Sequence, residues 1–306
     1  MFATALVLAL CIGVAMAGQS PTNAALGRFV GPVQASLVSF TGGLLVVSVL
    51  CALFGTGNIA GALQAPWWQL LGGVYGAFVV FSMAMTTPTL GVALALTLFM
   101  VGQLFGGMVV DGFGLMGVDA IPISPLRAGG CVLALAGIVL VYIGRMRYSA
   151  GQGAAEGKGR NAVAVAVVLA SGVGSAVQAP TNAALGAAIG TLEASVVSFA
   201  GGFICLLVAT LVMNKGRLQS FKGAKLWHFT GGLYGAFGVP ALVVATPVLG
   251  VSLAMAANML GQLVGGMVVD ATGAYGVMRM RADALRIAGA VLLLCGIALV
   301  TVAKLA

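Results

Sequence analysis

Charge is what this chain has least of. Asp, Glu, Lys and Arg make up 7% of its 306 residues, and only six of them are acidic. A soluble domain carries about 25%, so a water-facing globular protein is excluded. The polar apparatus of most enzymes is missing too. There is no P-loop, so the chain does not hydrolyse ATP by that route. The one histidine, His228, stands beside Trp227 with no evident partner. No CxxC occurs, which removes the common zinc and redox motifs, and Cys11, Cys51, Cys131, Cys205 and Cys295 all lie in apolar segments, where they read as small core fillers. No apolar run has a carboxylate at its centre. An enzyme, a metal site and a cofactor are therefore not expected.

Apolar residues are abundant at 61%, with 47 glycines. Together these are the marks of an integral membrane protein whose helices pack closely in a lipid bilayer. The net charge of +8 does not point to nucleic acid, because the basic residues cluster in short gaps between apolar runs. The opening run "MFATALVLALCIGVAMAGQ" imitates a signal peptide, but it has no basic n-region, and residues 162–176 in mid-chain have the same character.

A repeat at one fixed offset organises the chain. Gln19 recurs as Gln178, and 178 − 19 = 159. With the same offset Pro21-Thr22-Asn23 becomes Pro180-Thr181-Asn182, "GGVYGAF" at 72–78 becomes "GGLYGAF" at 231–237, and "GQLFGGMVVD" at 102–111 becomes "GQLVGGMVVD" at 261–270. Arg127 becomes Arg286. This divides the chain into a first repeat, 1–146, a polar Gly/Ala-rich linker, 147–160, and a second repeat, 161–306.

Each repeat holds five apolar stretches long enough to cross a bilayer core of about 30 Å at about 1.5 Å per residue. They run over about 2–26, 33–54, 67–86, 88–110 and 124–144, then about 162–185, 192–213, 227–245, 247–269 and 284–304. A Thr-Pro pair divides the third stretch from the fourth in each half, which predicts a very tight turn there. Ten alternating spans place twelve Lys and Arg on one side and only Arg127 and Lys304 on the other. The positive-inside rule makes the linker cytoplasmic and puts both termini outside. Five is odd, so the halves lie inverted. Residues 55–66 have no Lys or Arg whereas their copy, 214–226, has four. The expected fold is thus an all-α membrane protein of ten transmembrane helices in two inverted five-helix repeats.

"GQSPTNAALG", "TPTLGVALA" and "GQLFGGMVVDGFG" resemble the YdcZ-like branch of the drug/metabolite transporter superfamily, and the resemblance covers both halves. Members of that branch occur as single five-span proteins, as oppositely oriented pairs and as fused antiparallel chains, and this chain is similar to the fused form. The resemblance implies a transporter of a bacterial inner membrane and names no substrate.

Few side chains are candidates for a solute path. Gln19 and Asn23 are i, i+4 and share a helix face, and Pro21 between them frees a backbone carbonyl near Ala17. Gln178, Asn182 and Pro180 repeat the set. A kinked helix with two amides suits either substrate coordination and gating or interhelical hydrogen bonding. Ser36, Ser39 and Gly43, repeated as Ser195, Ser198 and Gly202, form a stripe read mainly as packing, with Ser39 and Ser198 as cavity candidates. Tyr75 and Tyr234, among glycines, either stack on a ligand or plug a packing hole. Gly102-x-x-x-Gly106 and Gly261-x-x-x-Gly265 read as helix contacts, with Gln103 and Gln262 beside them as cavity candidates. Asn258, whose copy is Phe99, breaks the symmetry of the halves in mid-bilayer. Asp111 and Asp270 end the fourth and ninth spans, where they either exchange protons or cap a turn and pair with Arg127 or Arg286. Glu193 replaces Gln34 as a helix-start residue.

The function these features support is alternating-access transport of a small solute, with the fused repeats sufficient as a monomer in the lipid bilayer. A channel and a non-transporting scaffold are the alternatives; the lack of charged or ion-coordinating rings weighs against the channel.

Overall fold

The structure is a computed structural model and describes residues 1–90, 92–151, 162–276 and 283–305. Within them the chain forms α-helices and short 3-10 turns, and no strand. In lipid no water is available to a backbone amide, so each apolar run satisfies its own hydrogen bonds by coiling. The first repeat contains α1 (Phe2–Met16), α2 (Gln19–Val30), α3 (Pro32–Phe54), α4 (Gly72–Leu90), α5 (Val92–Phe113) and α6 (Pro125–Gly151). The second contains α7 (Ala162–Ile189), α8 (Thr191–Met213), α9 (Gly231–Leu249), α10 (Val251–Thr272) and α11 (Ala284–Leu305). Among the described residues nine helical stretches are long and apolar enough to cross a membrane, and Trp67–Met83 is a shorter apolar one at the place of the third span. Helix α6 continues past residue 146 to Gly151, and the rest of the linker lies outside the described residues.

The turn expected at Thr-Pro falls three residues later. Thr246-Pro247 sits in the last turn of α9, and the chain reverses at Gly250, with φ 76° and ψ 164°. Proline is fixed near φ −65° and cannot supply that conformation, whereas glycine can. Gly31 and Gly190 make the same one-residue reversal after the first span of each repeat, with φ of 78° and 107°. The first repeat's counterpart of Gly250, Gly91, is outside the described residues.

The two copies of the proline phrase fold differently. In the first, the α-helical hydrogen-bond ladder is interrupted at Ala17-Gly18, where Pro21 offers the Ala17 carbonyl no N–H. Both residues keep helical dihedrals, and Gly18 N donates to the Ala15 carbonyl. In the second, α7 runs unbroken across Pro180. The interruption faces two phenols. Tyr234 and Tyr275 join through their hydroxyls at 2.7 Å, and both hydroxyls press on Gly18. In the other repeat Val177 stands at the position matching Gly18 and Met116 at that matching Tyr275, while Tyr75 matches Tyr234.

The repeats clasp each other. Helix α1 packs on α9 and α10, and α7 packs on α4 and α5; α3 packs on α8 and α9, and α8 on α4; α6 pairs with α11. Each of these contacts between the repeats has its mirror image, which is a pseudo-two-fold axis between inverted halves. Small residues permit the close approach. Gly102 lies against the Leu169 carbonyl and Gly172 of α7, and Gly261 against the Leu10 carbonyl and Gly13 of α1, so both GxxxG motifs are helix contacts. Gly130 meets Gly296, and Gly137 meets Gly289, along the α6–α11 seam. Outside, large apolar side chains such as Leu45, Leu53 and Val212 face the bilayer. Of the five cysteines, Cys131 is a core filler as expected, while Cys11 and Cys295 face outward: a thiol costs little against lipid.

Candidate functional site

A cavity of about 670 Å³ lies between the two repeats, within the range of small-molecule sites. Gln19 and Asn23 of α2 and Gln178 and Asn182 of α7 all line it. Each pair is seated on the other repeat's third span. The Asn182 Oδ1 lies on Gly72, and a β-carbon on Gly76 would come within 2.6 Å of Gln178 Nε2. Asn23 Oδ1 lies on Gly231 in the same way, and Gln19 Nε2 is the next neighbour of Gly235. The glycines of "GGVYGAF" and "GGLYGAF" are therefore the beds of the partner repeat's amides. Asn23 Oδ1 and Asn182 Oδ1 are buried and accept no conventional hydrogen bond among the described residues. Their contact is with the weak Cα–H donors of glycine.

Phe40 and Phe199, equivalent residues of α3 and α8, meet on the pseudo-two-fold axis with ring centroids 5.4 Å apart. Both line the cavity. Phe199 occupies the space over Gly43, and Phe40 that over Gly202, so these two glycines of the small-residue stripe are packing positions, while Ser36 of the same stripe lines the cavity. Ser39 lines the cavity while Ser198, equally buried, does not. Gln103 lines it and donates to Ser175 Oγ at 2.7 Å. Asn258 and Gln262 line it one helical turn apart, with Gln262 Nε2 donating to Asn258 Oδ1 at 3.3 Å. Tyr75 and Tyr234 are not lining residues. Tyr275 is, and no motif in the sequence singled it out.

The two carboxylates make equivalent ion pairs in unequal surroundings. Asp111 Oδ2 accepts from Arg127 Nη2 at 2.5 Å. Its carboxylate also caps α10 from the other repeat, accepting from Val251 N at 2.7 Å and Ser252 N at 2.8 Å. The Ser252 hydroxyl donates to the same carboxylate and accepts from Arg127 at 2.6 Å, while Arg127 Nη1 donates to the Ile121 carbonyl. This cluster is sealed, with Asp111 1% and Arg127 2% exposed, and neither lines the cavity. Asp270 pairs with Arg286 Nη2 at 2.6 Å, and both residues do line it. Among the described residues Asp270 has no other hydrogen bond, and Arg286 Nε and Nη1 have no partner. At the position matching Ser252 stands Ala93. The cavity thus includes the amides and the end that carries Arg28, Asp270 and Arg286, and its lining does not include Asp111 or Arg127.

Other buried polar groups are fasteners. Gln34 exchanges two hydrogen bonds with the Gln219 backbone, at 2.7 and 2.9 Å. Glu193, in its place at the start of α8, accepts from Gly57 N at 2.7 Å. His228 accepts from Lys225 N at 2.7 Å through Nδ1 and stacks beside Trp227 and Phe29.

The family model described as "Putative inner membrane exporter, YdcZ" matches this chain twice, over residues 4–140 and 163–299. The Inner membrane protein YdcZ of Escherichia coli (strain K12) is 32% identical over 113 residues, which span 34% of this chain and 70% of that protein. A crystal structure of a protein that is 16% identical superposes with a TM-score of 0.70 over 99% of this chain and 98% of its own, which shows a shared fold. With the family's unit present once in each inverted repeat, the chain belongs to the YdcZ family of the drug/metabolite transporter superfamily.

Proposed function

We propose that this protein is a secondary transporter that moves a small solute by alternating access through the cavity between its repeats. The observation that carries the reading is the inequality of the two ends. Equivalent Asp–Arg pairs stand at both, yet one is closed onto the opposite repeat and the other borders the cavity. By the charge rule the bordering end is cytoplasmic, so this state is inward-facing. In the opposite state Asp270 caps the start of α5, as Asp111 now caps α10, while Asp111 releases its hold. Both states then satisfy the same helix terminus at one end, and the change is an exchange of like contacts about a pseudo-two-fold axis. The lining amides meet the solute in either state. The family's description as exporters supports movement from cytoplasm outward. Both halves are in one chain, so a monomer is the transporting unit.

Proteoliposomes preloaded with unlabelled solutes test this. Saturable counterflow of at least one member of a panel of neutral, zwitterionic and charged metabolites is expected. Unitary currents would replace the reading with a channel, and an absence of flux across the whole panel would replace it with a scaffold.

A further inference from the structure

The polar groups that meet the cavity are unequal in kind, and we infer from them that the transported solute is an organic anion with a carboxylate on an apolar body. The inference rests on the cavity being the transport site. Arg286 is 3% exposed and lines the cavity. One of its nitrogens is held by Asp270, while Nε and Nη1 are buried without a hydrogen-bond acceptor among the described residues. An unsatisfied guanidinium donor is costly, and more so away from water. Its twin Arg127 has the Ser252 hydroxyl and the Ile121 carbonyl in addition to its carboxylate. The first of these has no equivalent at Ala93, and the second corresponds to Met280, outside the described residues. Asp283 does not supply the need: its Oδ1 accepts from the Arg286 backbone N at 2.9 Å, as the cap of α11, and it is not a lining residue.

A second observation points the same way. Asn23 Oδ1 and Asn182 Oδ1 are buried on Gly231 and Gly72. Both residues line the cavity, and their amide nitrogens are donors. The charged lining residues are Arg28, Arg286 and Asp270, two positive against one negative. Gln103 Oε1 is a lining acceptor without a partner among the described residues, so the wall offers an acceptor beside the guanidinium and amide donors. With the exposed Arg28 in excess of the Asp270–Arg286 pair, it selects an anion. The Phe40–Phe199 pair and the thioethers of Met16 and Met100 complete the lining with apolar surface for the rest of the molecule.

Thermal unfolding of the purified full chain in detergent tests this with a matched trio: 3-phenylpropanoate, its neutral amide and the corresponding propylammonium. Wild-type protein should be stabilised by the carboxylate in preference to the other two. Arg286→Gln should lose at least about tenfold in apparent affinity for the carboxylate, the scale of one charged hydrogen bond, and Arg286→Lys should keep part of it. Equal or stronger stabilisation by the amide or the ammonium overturns the inference, and so does no stabilisation by any of the three. If Arg286→Gln does not fold, the wild-type ranking and Arg286→Lys decide. Saturable counterflow of a solute without an acidic group would also overturn it while leaving the transport reading intact.

Discussion

The carboxamide oxygen of Asn182 rests on Gly72, and the equivalent contact joins Asn23 to Gly231. Each repeat therefore positions the other's polar phrase, and residues of both halves line the cavity. A β-carbon has no room at either glycine. Gly72→Ala and Gly231→Ala should each destabilise the protein by about 1–3 kcal/mol through overpacking. Transport should fall further than stability, because the displaced amide lines the cavity. Unfolding in detergent and counterflow, measured on the same preparations, check this; unchanged flux would separate the amides from the path.

The amides themselves allow a milder test. Gln19→Ala and Asn182→Ala remove groups that line the cavity. Both variants should fold and lose ligand-induced thermal stabilisation. Wild-type ligand shifts in both would reject these side chains as binding groups.

Asp111 satisfies Arg127, the Ser252 hydroxyl and two backbone amides of α10 at once. Asp111→Asn leaves a buried guanidinium without its counter-charge and should cost about 3–5 kcal/mol. Asp270→Asn should cost less, because Asp270 borders the cavity and has one hydrogen bond among the described residues. Chemical unfolding of the two variants gives the comparison, and an equal or reversed order would mean that the two ends are energetically alike.

Gly250 reverses the chain between α9 and α10 at φ 76°, with Ile121 placed 2.8 Å from where a β-carbon would stand. Gly250→Ala should cost about 1–3 kcal/mol from backbone strain alone. Thr246→Ala, one helical turn earlier, places no residue at positive φ and should cost less. A ranking from thermal melts tests which residue makes the turn.

Orientation is open to labelling. Asn58 lies in the α3–α4 connection and Ser220 in its counterpart between α8 and α9, and both are exposed. In intact cells of a cysteine-free background, a membrane-impermeant maleimide should label Asn58→Cys and should reach Ser220→Cys only after permeabilisation. The reverse pattern would invert the topology.

Much of this was legible in the chain itself. The fixed offset revealed two repeats, apolar run length revealed helices, and an odd span count with the charge bias revealed inversion. These follow from local rules: lipid forces helices, and duplication copies text. The pairing of Asp111 with Arg127 was also within reach as one of two alternatives, since the two recur at the same spacing as Asp270 and Arg286. Sequence could not say why the glycines beside Tyr75 and Tyr234 are there, because the side chains that need their space belong to the other half. The fates of Pro21 and Pro180 were equally hidden. The same missing N–H accompanies an interrupted ladder in one helix and is absorbed in the other, and what differs is the neighbour, with the Tyr234 and Tyr275 hydroxyls pressed on Gly18.

The sequence by itself determined the elements and the inverted duplication, since hydrophobic length, glycine content and charge placement act locally along the chain. Only the tertiary structure decided which equivalent residues remain equivalent. Asp111 is capped onto the opposite repeat while Asp270 borders an open cavity. Two identical ends cannot both be closed around one accessible path, so packing must break the symmetry that duplication wrote.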